Sequence, residues 1–552
     1  MTAVKKLADD TLDLDSVALS QFGWEQLTDD QREAMHAVLR GRDLLAVMPT
    51  GSGKSAIYQV PSLLTDGVTL VVSPLIALQD DQITAIEECG AGTAVAINSG
   101  LRAAERRRSW EAVERCEADF VFIAPEQLAN DDVVERLRAA GPSLIVVDEA
   151  HCVSAWGHDF RPDYRRLADV FHRLGESIPY VALTATASVV VRRDIVDRLG
   201  LRDPAVVVGG FDRPNLRLIV ERHPDAGDKR RAVLDALPGL PGPGLLYVAT
   251  RKDAESYAED LRAKGLAVAA YHAGMSAADR DEVHAGFRDD EYEIVVATSA
   301  FGMGIDKPNV RFVAHASAPD SLDSYYQQIG RAGRDGEDAL ALLFYRPEDL
   351  GLARFFTAGR PDERLLRAVY EALKGSGPLR LKDLRQRLEV RGRKLTNAIN
   401  MLDAAGAVRS TRKGFVNTKM STDAAVAAAA ETAELRERVD LSRVEMMRGY
   451  SETRSCRRVF LLSYFGEYLP SPCGNCDRCI HAATPDDVGV EEPALPVDTD
   501  VRHREWGAGV VIGGDGQRIT VLFEEFGYRT LSMAAVREHG LLEVTDPIAE
   551  PA

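Results

Sequence analysis

Two adjacent carboxylates and one glycine-rich turn offer the most explicit chemistry in this chain. Met48-Pro49-Thr50-Gly51-Ser52-Gly53-Lys54-Ser55 follows an apolar run and opens a helix-patterned one. In that setting backbone N–H groups cradle phosphates, a lysine neutralises them and a hydroxyl ligates Mg2+. Met48 departs from the strict pattern, which asks for glycine there. Thr50, Gly51, Ser52, Gly53, Lys54 and Ser55 are therefore candidate ATP-binding residues, the alternative being an ordinary strand-to-helix loop. Asp148-Glu149 closes the apolar run Leu144-Ile145-Val146-Val147, which puts both carboxylates at the C-terminal end of a buried parallel strand, where open α/β sheets bind ligands. Asp148, through water, and Ser55 would hold Mg2+. Glu149 would orient and deprotonate the attacking water, because phosphoryl transfer is mainly positioning and charge neutralisation. The segment Gln327-Gln328-Ile329-Gly330-Arg331-Ala332-Gly333-Arg334 adds Gln327 and two arginines three apart. Read as a loop-to-helix start, it turns Arg331 and Arg334 one way, toward phosphates across a cleft, where an arginine is worth roughly 10³–10⁵ in rate. The catalytic candidates are Lys54, Asp148, Glu149, Gln327, Arg331 and Arg334; two solvated surface arginines are the plainer alternative for the last pair.

A few residues beyond the acidic pair, Trp156-Gly157-His158-Asp159-Phe160-Arg161-Pro162 interleaves aromatic and charged side chains. A base stacked on an aromatic ring gains roughly 1–3 kcal/mol, comparable to the roughly 1.4 kcal/mol needed on average to open a base-pair step. A loop that grips a base this close to Glu149 would report DNA occupancy to the hydrolytic site, and such coupling is reciprocal in binding. Trp156, His158, Phe160 and Arg161 are candidate DNA contacts. The alternative is a core aromatic pair, against which the flanking charges argue. Cys456, Cys473, Cys476 and Cys479 give one remote thiol and two C-x-x-C steps, a spacing suited to tetrahedral Zn2+ in a closed, structural site; a redox dithiol is the alternative. Cys89, Cys116 and Cys152 read as packing residues.

The elements that must position these groups alternate short β-branched runs with helix-patterned segments up to about Phe344, the signature of parallel α/β layers. Candidate strands are Leu44–Val47, Thr69–Ser73, Phe120–Ile123, Leu144–Val147 and Val181–Thr184, then Leu245–Ala249, Ile294–Ala297, Phe312–Ala314 and Leu340–Phe344. Gly209-Gly210-Phe211-Asp212-Arg213-Pro214 is a joint between them. The expectation is an α/β protein with two RecA-like parallel-sheet domains, 1–210 and 211–350. Helical patterns at Glu363–Leu373, Leu381–Leu388 and Leu395–Leu402, then a turn at Gly414, describe a winged helix over 361–420. A helical zinc-binding domain fills 421–482, an acidic, self-repelling and flexible linker 483–500, and a small tethered β-barrel 501–546. The winged helix carries Arg391, Arg393, Lys394, Arg409, Arg412 and Lys413 against Asp403 alone, which suits phosphate contacts on duplex DNA; a protein-binding or purely structural module is the alternative. Phe415 is a candidate strand-separating aromatic.

The totals are those of an ordinary globular protein of several domains: 552 residues, 45% hydrophobic and 28% charged. A net charge of −18 excludes a surface coated for nucleic acid but leaves room for a local basic track. Lys5, Lys6, Asp9, Asp10, Asp13 and Asp15 break the first twenty residues, so they do not read as a signal peptide, and no apolar run reaches membrane-spanning length. The expected location is the bacterial cytosol, with no membrane partner.

On these residues the chain resembles the RecQ family of superfamily 2 DNA helicases. The likeness runs from Phe22-Gly23-Trp24 and Gln31 through Pro49–Ser55, Val72-Ser73-Pro74-Leu75, Ile123-Ala124-Pro125-Glu126, Asp148–His151 and Ala182–Ala187 to Tyr271–Gly274, Gly302–Pro308 and Gln327–Gly336, with Trp156–Pro162 its most specific stretch. It implies an ATP-driven translocase moving 3′ to 5′ on single-stranded DNA and opening forked or tailed duplex, in DNA repair and recombination. It also implies that Gln31 reads the adenine edge, Trp24 stacks beside it and Ser73 joins the DNA contacts. Phe460–Glu467 resembles the family's zinc-domain helix. Thr28 stands where the family has Arg and Asp80 where Lys is common; the winged helix precedes the zinc cysteines instead of following them, and the family's C-terminal helical domain is not evident. Val501–Phe523 resembles the Tudor-like module of UvrD/PcrA-type helicases, which implies a protein dock, with RNA polymerase as one partner, or a stabilising appendage; His503 reads as a packing residue. The rival functions are an RNA helicase or remodeller, and a nucleic-acid-binding platform clamped by ATP without unwinding.

Overall fold

The computed structural model describes residues 14–154, 156, 161–302, 307–351, 361–390, 393–411, 414–482, 494–514 and 516–545. Short aliphatic runs linked by helices bury both of their faces only in a parallel sheet covered on two sides. The first lobe does this with β1 (Leu44–Val47), β2 (Val68–Val72), β3 (Ala94–Ile97), β4 (Phe120–Ile123), β5 (Pro142–Val147), β6 (Tyr180–Thr184) and β7 (Ala205–Val208). Their order is β3-β4-β2-β5-β6-β1-β7, every pair parallel. Successive strand residues point to opposite faces, so Leu45, Val47, Leu70 and Val72 enter one core and Leu44, Ala46 and Val71 the other.

The second lobe repeats the plan with β8 (Leu216–Arg222), β9 (Gly244–Tyr247), β10 (Val268–Tyr271), β11 (Ile294–Ala297), β12 (Phe312–His315) and β13 (Ala339–Tyr345), in the order β10-β11-β9-β12-β13-β8 and again all parallel. All the strands expected from the sequence are interior strands. The others, β3, β7, β8 and β10, are the four sheet edges.

Helices Glu363–Lys374, Leu381–Leu388 and Arg393–Ala404 precede the hairpin β14 (Val408–Thr411) and β15 (Gly414–Asn417). Their core of Leu366, Val369, Leu384, Leu395 and Leu402 is completed by Ala425, Val426 and Ala429. Ala425 and Ala429 lie in the first turns of a 31-residue helix, Thr422–Glu452, so the rod that starts just past the expected boundary at 420 completes the core of the unit before it. Phe415 does not project as a wedge. It is half-buried in that core, and its N–H and C=O pair with Leu379 at 2.8 and 3.0 Å.

The chain ends in β16 (Asp500–His503), β17 (Gly507–Gly514), β18 (Arg518–Phe523), β19 (Gly527–Ser532) and β20 (Leu542–Val544), one antiparallel sheet in the order β19-β18-β17-β16-β20. His503 packs there, stacked on Trp506 with centroids 4.1 Å apart. This module is seated, not loosely tethered. Gly527 and Gly513 come so close to Ser442 and Ser463 that a Cβ on either would lie 2.3 and 3.0 Å from the nearest oxygen. The described part of the acidic stretch is ordered as well: the Asp498 N–H donates to Val511 O at 2.9 Å, and Arg193 pairs with both Asp498 and Asp500. Arg193 thus neutralises Asp498 and Asp500 at the end of the stretch; residues 483–493, with its other four acidic side chains, lie outside the described residues. Among the described residues no helix is long and apolar enough to cross a membrane.

Candidate active site and nucleic-acid interface

β1 delivers the glycine-rich turn. Met48 N–H donates to Thr184 O at 3.0 Å, and the chain then turns through Gly51 and Gly53, both in left-handed backbone (φ +84° and +72°). Each glycine is also required by a close approach: a Cβ at Gly51 would meet Arg334 Cδ at 2.9 Å, and one at Gly53 would meet Gln31 Nε2 at 2.7 Å. Lys54 Nζ donates to the carbonyls of Met48 and Pro49 at 3.2 and 3.1 Å. Burial lowers its pKa, with Glu149 and Asp148 pulling the other way. A cleft of about 270 Å³ opens here, with Thr50, Gly51 and Ser52 on one wall and Gly333 and Arg334 on the other.

Asp148 follows β5 and is 7% exposed. Burial, then the neighbouring Glu149 charge, pushes its pKa up to about 7 against the pull of Lys54. Its Oδ1 accepts from the Glu149 N–H at 2.9 Å. Glu149 itself sits at φ +49°, a left-handed conformation that costs a non-glycine residue on the order of 1–3 kcal/mol and clusters at functional sites. From its Oε2 a polar chain leads across the molecule. His151 Nδ1 lies 3.2 Å away, and 3.0 Å from Thr184 Oγ1. Thr184 Oγ1 donates to Thr186 O at 3.0 Å, and Gln327 Nε2 of the second lobe donates to Thr186 Oγ1 at 3.4 Å. His151, Thr184 and Thr186 were visible in the sequence without a role; only the fold shows that they bridge Glu149 to Gln327.

The two arginines do not stand at a helix start. Their segment leaves the C-terminal end of helix Leu322–Ile329 instead of starting a helix, and Gly333 turns it with φ +59°. Arg334 lays its aliphatic stem over Gly51. Arg331, 5% exposed, lies beside Tyr247 of its own lobe, whose pKa burial raises and the Arg331 charge pulls down.

Gln31 caps its own helix. Thr28 Oγ1 accepts from Gln31 N, Gln31 Oε1 accepts from Thr28 N at 2.8 Å, and Gln31 Nε2 donates to the carbonyls of Ser52 and Gly53 at 2.9 and 3.2 Å. A capping threonine explains Thr28 locally. Trp24 stacks on Phe22, with centroids 4.4 Å apart and planes 8° from parallel, so one ring face is already covered. Ser55 Oγ accepts from Gln82 Nε2 at 3.4 Å.

On the nucleic-acid side, Ser73 is 0% exposed at the end of β2, and its carbonyl accepts from Gln79 Nε2 at 2.8 Å; strand burial keeps this hydroxyl from the surface, against the expected DNA contact. Trp156 is half-buried against the main core, its N–H donating to Ser154 Oγ at 3.1 Å and its carbonyl accepting from Arg443 Nη2. Arg161 Nη1 donates to Pro74 O at 3.0 Å. Lys394 is exposed on helix Arg393–Ala404. His158, Phe160, Arg391, Arg412 and Lys413 lie outside the described residues.

The four sulfurs of Cys456, Cys473, Cys476 and Cys479 lie within 4.8 Å of one another. The edges 473–479, 456–476 and 476–479 measure 3.9, 4.0 and 3.5 Å. A tetrahedron with Zn–S bonds of about 2.3 Å has edges of about 3.8 Å, so the cage fits Zn2+. Arg457 braces it from within, bridging both Asp477 oxygens at 2.5 and 2.9 Å. Cys476 pairs with Leu218 of β8, and Arg458 Nη2 donates to Leu216 O at 2.5 Å, which fastens the zinc region to the second lobe.

The stretch Phe460–Glu467 makes a contact that its sequence did not announce. Glu467 Oε2 accepts from the N–H of Phe211 at 2.5 Å, in the joint between the lobes, and Phe465 stacks on the Phe211 ring at 4.8 Å.

The DEAD/DEAH box helicase family matches residues 28–194, the helicase conserved C-terminal domain 228–336 and RecQ zinc-binding 411–480. The ATP-dependent DNA helicase RecQ of Bacillus subtilis is 31% identical over 532 residues, 95% of this chain and 76% of that protein. The chain belongs to the RecQ family. Its counterpart named ATP-dependent DNA helicase RecQ in Haemophilus influenzae is 34% identical over 465 residues, and the match spans 84% of this RecQ-family chain but only 63% of that relative's length. In fold alone, the chain is similar to the DUF1998 helicase MrfA bound to DNA, with a TM-score of 0.52 at 18% identity over 74% of this chain and 59% of that one.

Proposed function

We propose that this RecQ-family chain is a DNA-stimulated ATPase and 3′–5′ DNA helicase that moves on single-stranded DNA and opens forked or tailed duplex in repair and recombination. The observation that carries the reading is the polar chain Glu149–His151–Thr184–Thr186–Gln327, which ties the carboxylate poised to activate water to the opposite lobe. ATP, the substrate, fits the interlobe cleft, with Lys54 released from the Met48 and Pro49 carbonyls toward the phosphates. Asp148 and Ser55 are hard oxygen donors of the kind that hold Mg2+, which when bound neutralises phosphate charge. Glu149 accepts the proton as the water oxygen bonds to the γ-phosphorus and the bond to the ADP oxygen breaks, and Arg334 brings positive charge to the departing phosphates. The uncovered part of the Trp156 ring offers a stacking surface for an unpaired base. Zn2+ is structural, because four thiolates leave no open position.

Labelled duplexes with a 3′ or a 5′ tail test this directly. Only the 3′-tailed substrate should open, DNA and not RNA oligonucleotides should raise the ATPase rate, and Trp156→Ala should lose that stimulation. Glu149→Gln should bind ATP without separating strands. Equal stimulation by RNA, or full biological activity of Glu149→Gln, would replace the motor with a remodeller or an ATP-held platform.

A further inference from the structure

The C-terminal module reaches the motor through one buried polar cluster. Tyr528, at the start of β19, is 4% exposed; its N–H donates to Ser442 Oγ at 2.9 Å and its hydroxyl lies 3.2 Å from that of Tyr464. Tyr464 in turn donates to Asp323 Oδ2 at 2.5 Å. Asp323 stands in the first turn of helix Leu322–Ile329, which carries Gln327. The same cluster holds Arg443, 3% exposed, whose Nη1 pairs with Asp440 at 2.6 Å and whose Nη2 donates to the Trp156 carbonyl. Burial disfavours its charge, which the carboxylates of Asp440 and Asp323 compensate.

A buried cation is tolerated only while its partners stay in place, and removing one member of such a network leaves the rest uncompensated. The Tyr528 ring and hydroxyl close the side of this cluster that faces the C-terminal module. Lifting the module would admit water around Tyr464, Asp323 and Arg443 and loosen what each of them holds. The first hold is on the backbone carbonyl of Trp156. The second is on the helix that sets Gln327 against Thr186.

We propose that Tyr528 is a positioning residue for the motor: from the C-terminal module it fixes, through Ser442 and the adjoining Arg443 and through Tyr464–Asp323, the Trp156 segment of one lobe and the Gln327 helix of the other. Its effect on rate rests on the DNA-stimulated ATPase proposed above, but its effect on the lobes does not, so the two are measured separately. Amide hydrogen exchange of the full chain, without DNA or nucleotide, is followed in wild type, Tyr528→Phe and Gly513→Val. The second variant presses on Ser463 from a position that adds no left-handed strain to the module.

Both variants should exchange about two- to tenfold faster at residues 150–156 and 322–329, the equivalent of one lost hydrogen bond, and β18 should keep its protection. The DNA concentration giving half-maximal ATPase stimulation should rise by a similar factor. Unchanged exchange in those two segments, with loosening confined to β17–β19, overturns the inference and leaves Tyr528 a packing residue of its own module. Faster exchange in both segments in a protein whose wild-type ATPase ignores DNA upholds the link and removes the helicase reading instead.

Discussion

The two edges of the junction between the lobes are built differently. At the nucleotide edge, the cross-lobe contacts include the 3.4 Å bond from Gln327 to Thr186 and the stem of Arg334 lying over Gly51. At the zinc edge the joint at Phe211 is gripped from several sides. Glu467 takes its N–H at 2.5 Å, Tyr326 OH donates to its carbonyl at 2.7 Å, Phe465 stacks on its ring, and Arg192 Nη2 donates to Phe465 O at 2.9 Å. Buried, mutually supporting hydrogen bonds resist opening more than a long bond beside an open cleft. The lobes should therefore hinge about the zinc edge and gape at the nucleotide edge.

Removing the zinc should break this contrast most severely. Cys476→Ser, or a strong chelator, should release the metal, melt the segment around Cys456–Cys479 and lower the unfolding temperature, because metal-binding energy in such sites is folding energy, on the order of 10 kcal/mol in isolated zinc fingers. Metal analysis with thermal melting reads it; a Cys476→Ser protein melting like wild type would show that the zinc edge is not the pinned one. Next in size, Arg334→Ala should slow ATP turnover about 10³–10⁵-fold, and Arg331→Ala, whose side chain stays in its own lobe, should do less. Equal losses would mean that closure swings Arg331 in as well.

Acidity sharpens the picture of the mobile edge. The folded pKa of Asp148, about 7, lies above its ordinary value of 3.8. The stabilising contribution of its neutral form is thus full below about pH 4 and is lost as the pH rises through about 7. Mg2+ needs the ionised carboxylate, so the Mg2+ concentration for half-maximal ATPase should fall about tenfold between about pH 6 and about pH 8, and a titration of Asp148→Asn should lack that fall. The smallest expected effect is at the hinge. Glu467→Gln replaces a charge-assisted acceptor by a neutral one and should cost about 1–2 kcal/mol in denaturant unfolding; no change at all would mean that Phe465 and Tyr326 hold the joint without it.

The interior of both sheets was legible because interior parallel strands are apolar on both faces, as in Val68–Val72 and Ile294–Ala297. Edge strands are not so constrained: β8 exposes Arg217 and ends in Glu221-Arg222, and β10 is half alanine. The phosphate turn, the acidic pair and the four cysteines were legible because their chemistry fixes residue type and spacing at short range. The direction of Arg331 and Arg334 was not, because three-residue spacing has one meaning at a helix start and another at a helix exit turned by Gly333. Nor could spacing reveal Glu467, Arg443 or Tyr528, whose partners lie 256, 287 and 86 residues away.

The continuous helix Thr422–Glu452 carries a mechanical consequence. At about 1.5 Å per residue its 31 residues make a rod about 46 Å long, with the hairpin-bearing helical unit at one end and the Arg443 cluster and zinc cage toward the other. A tilt of only about 5° at the cage would sweep the far tip by about 4 Å, roughly the rise of one nucleotide along a duplex strand. A rod of that length would turn a small rotation at the cage into a displacement on the scale of DNA, once the Arg166–Asp403 pair that fastens its far unit to the first lobe is released.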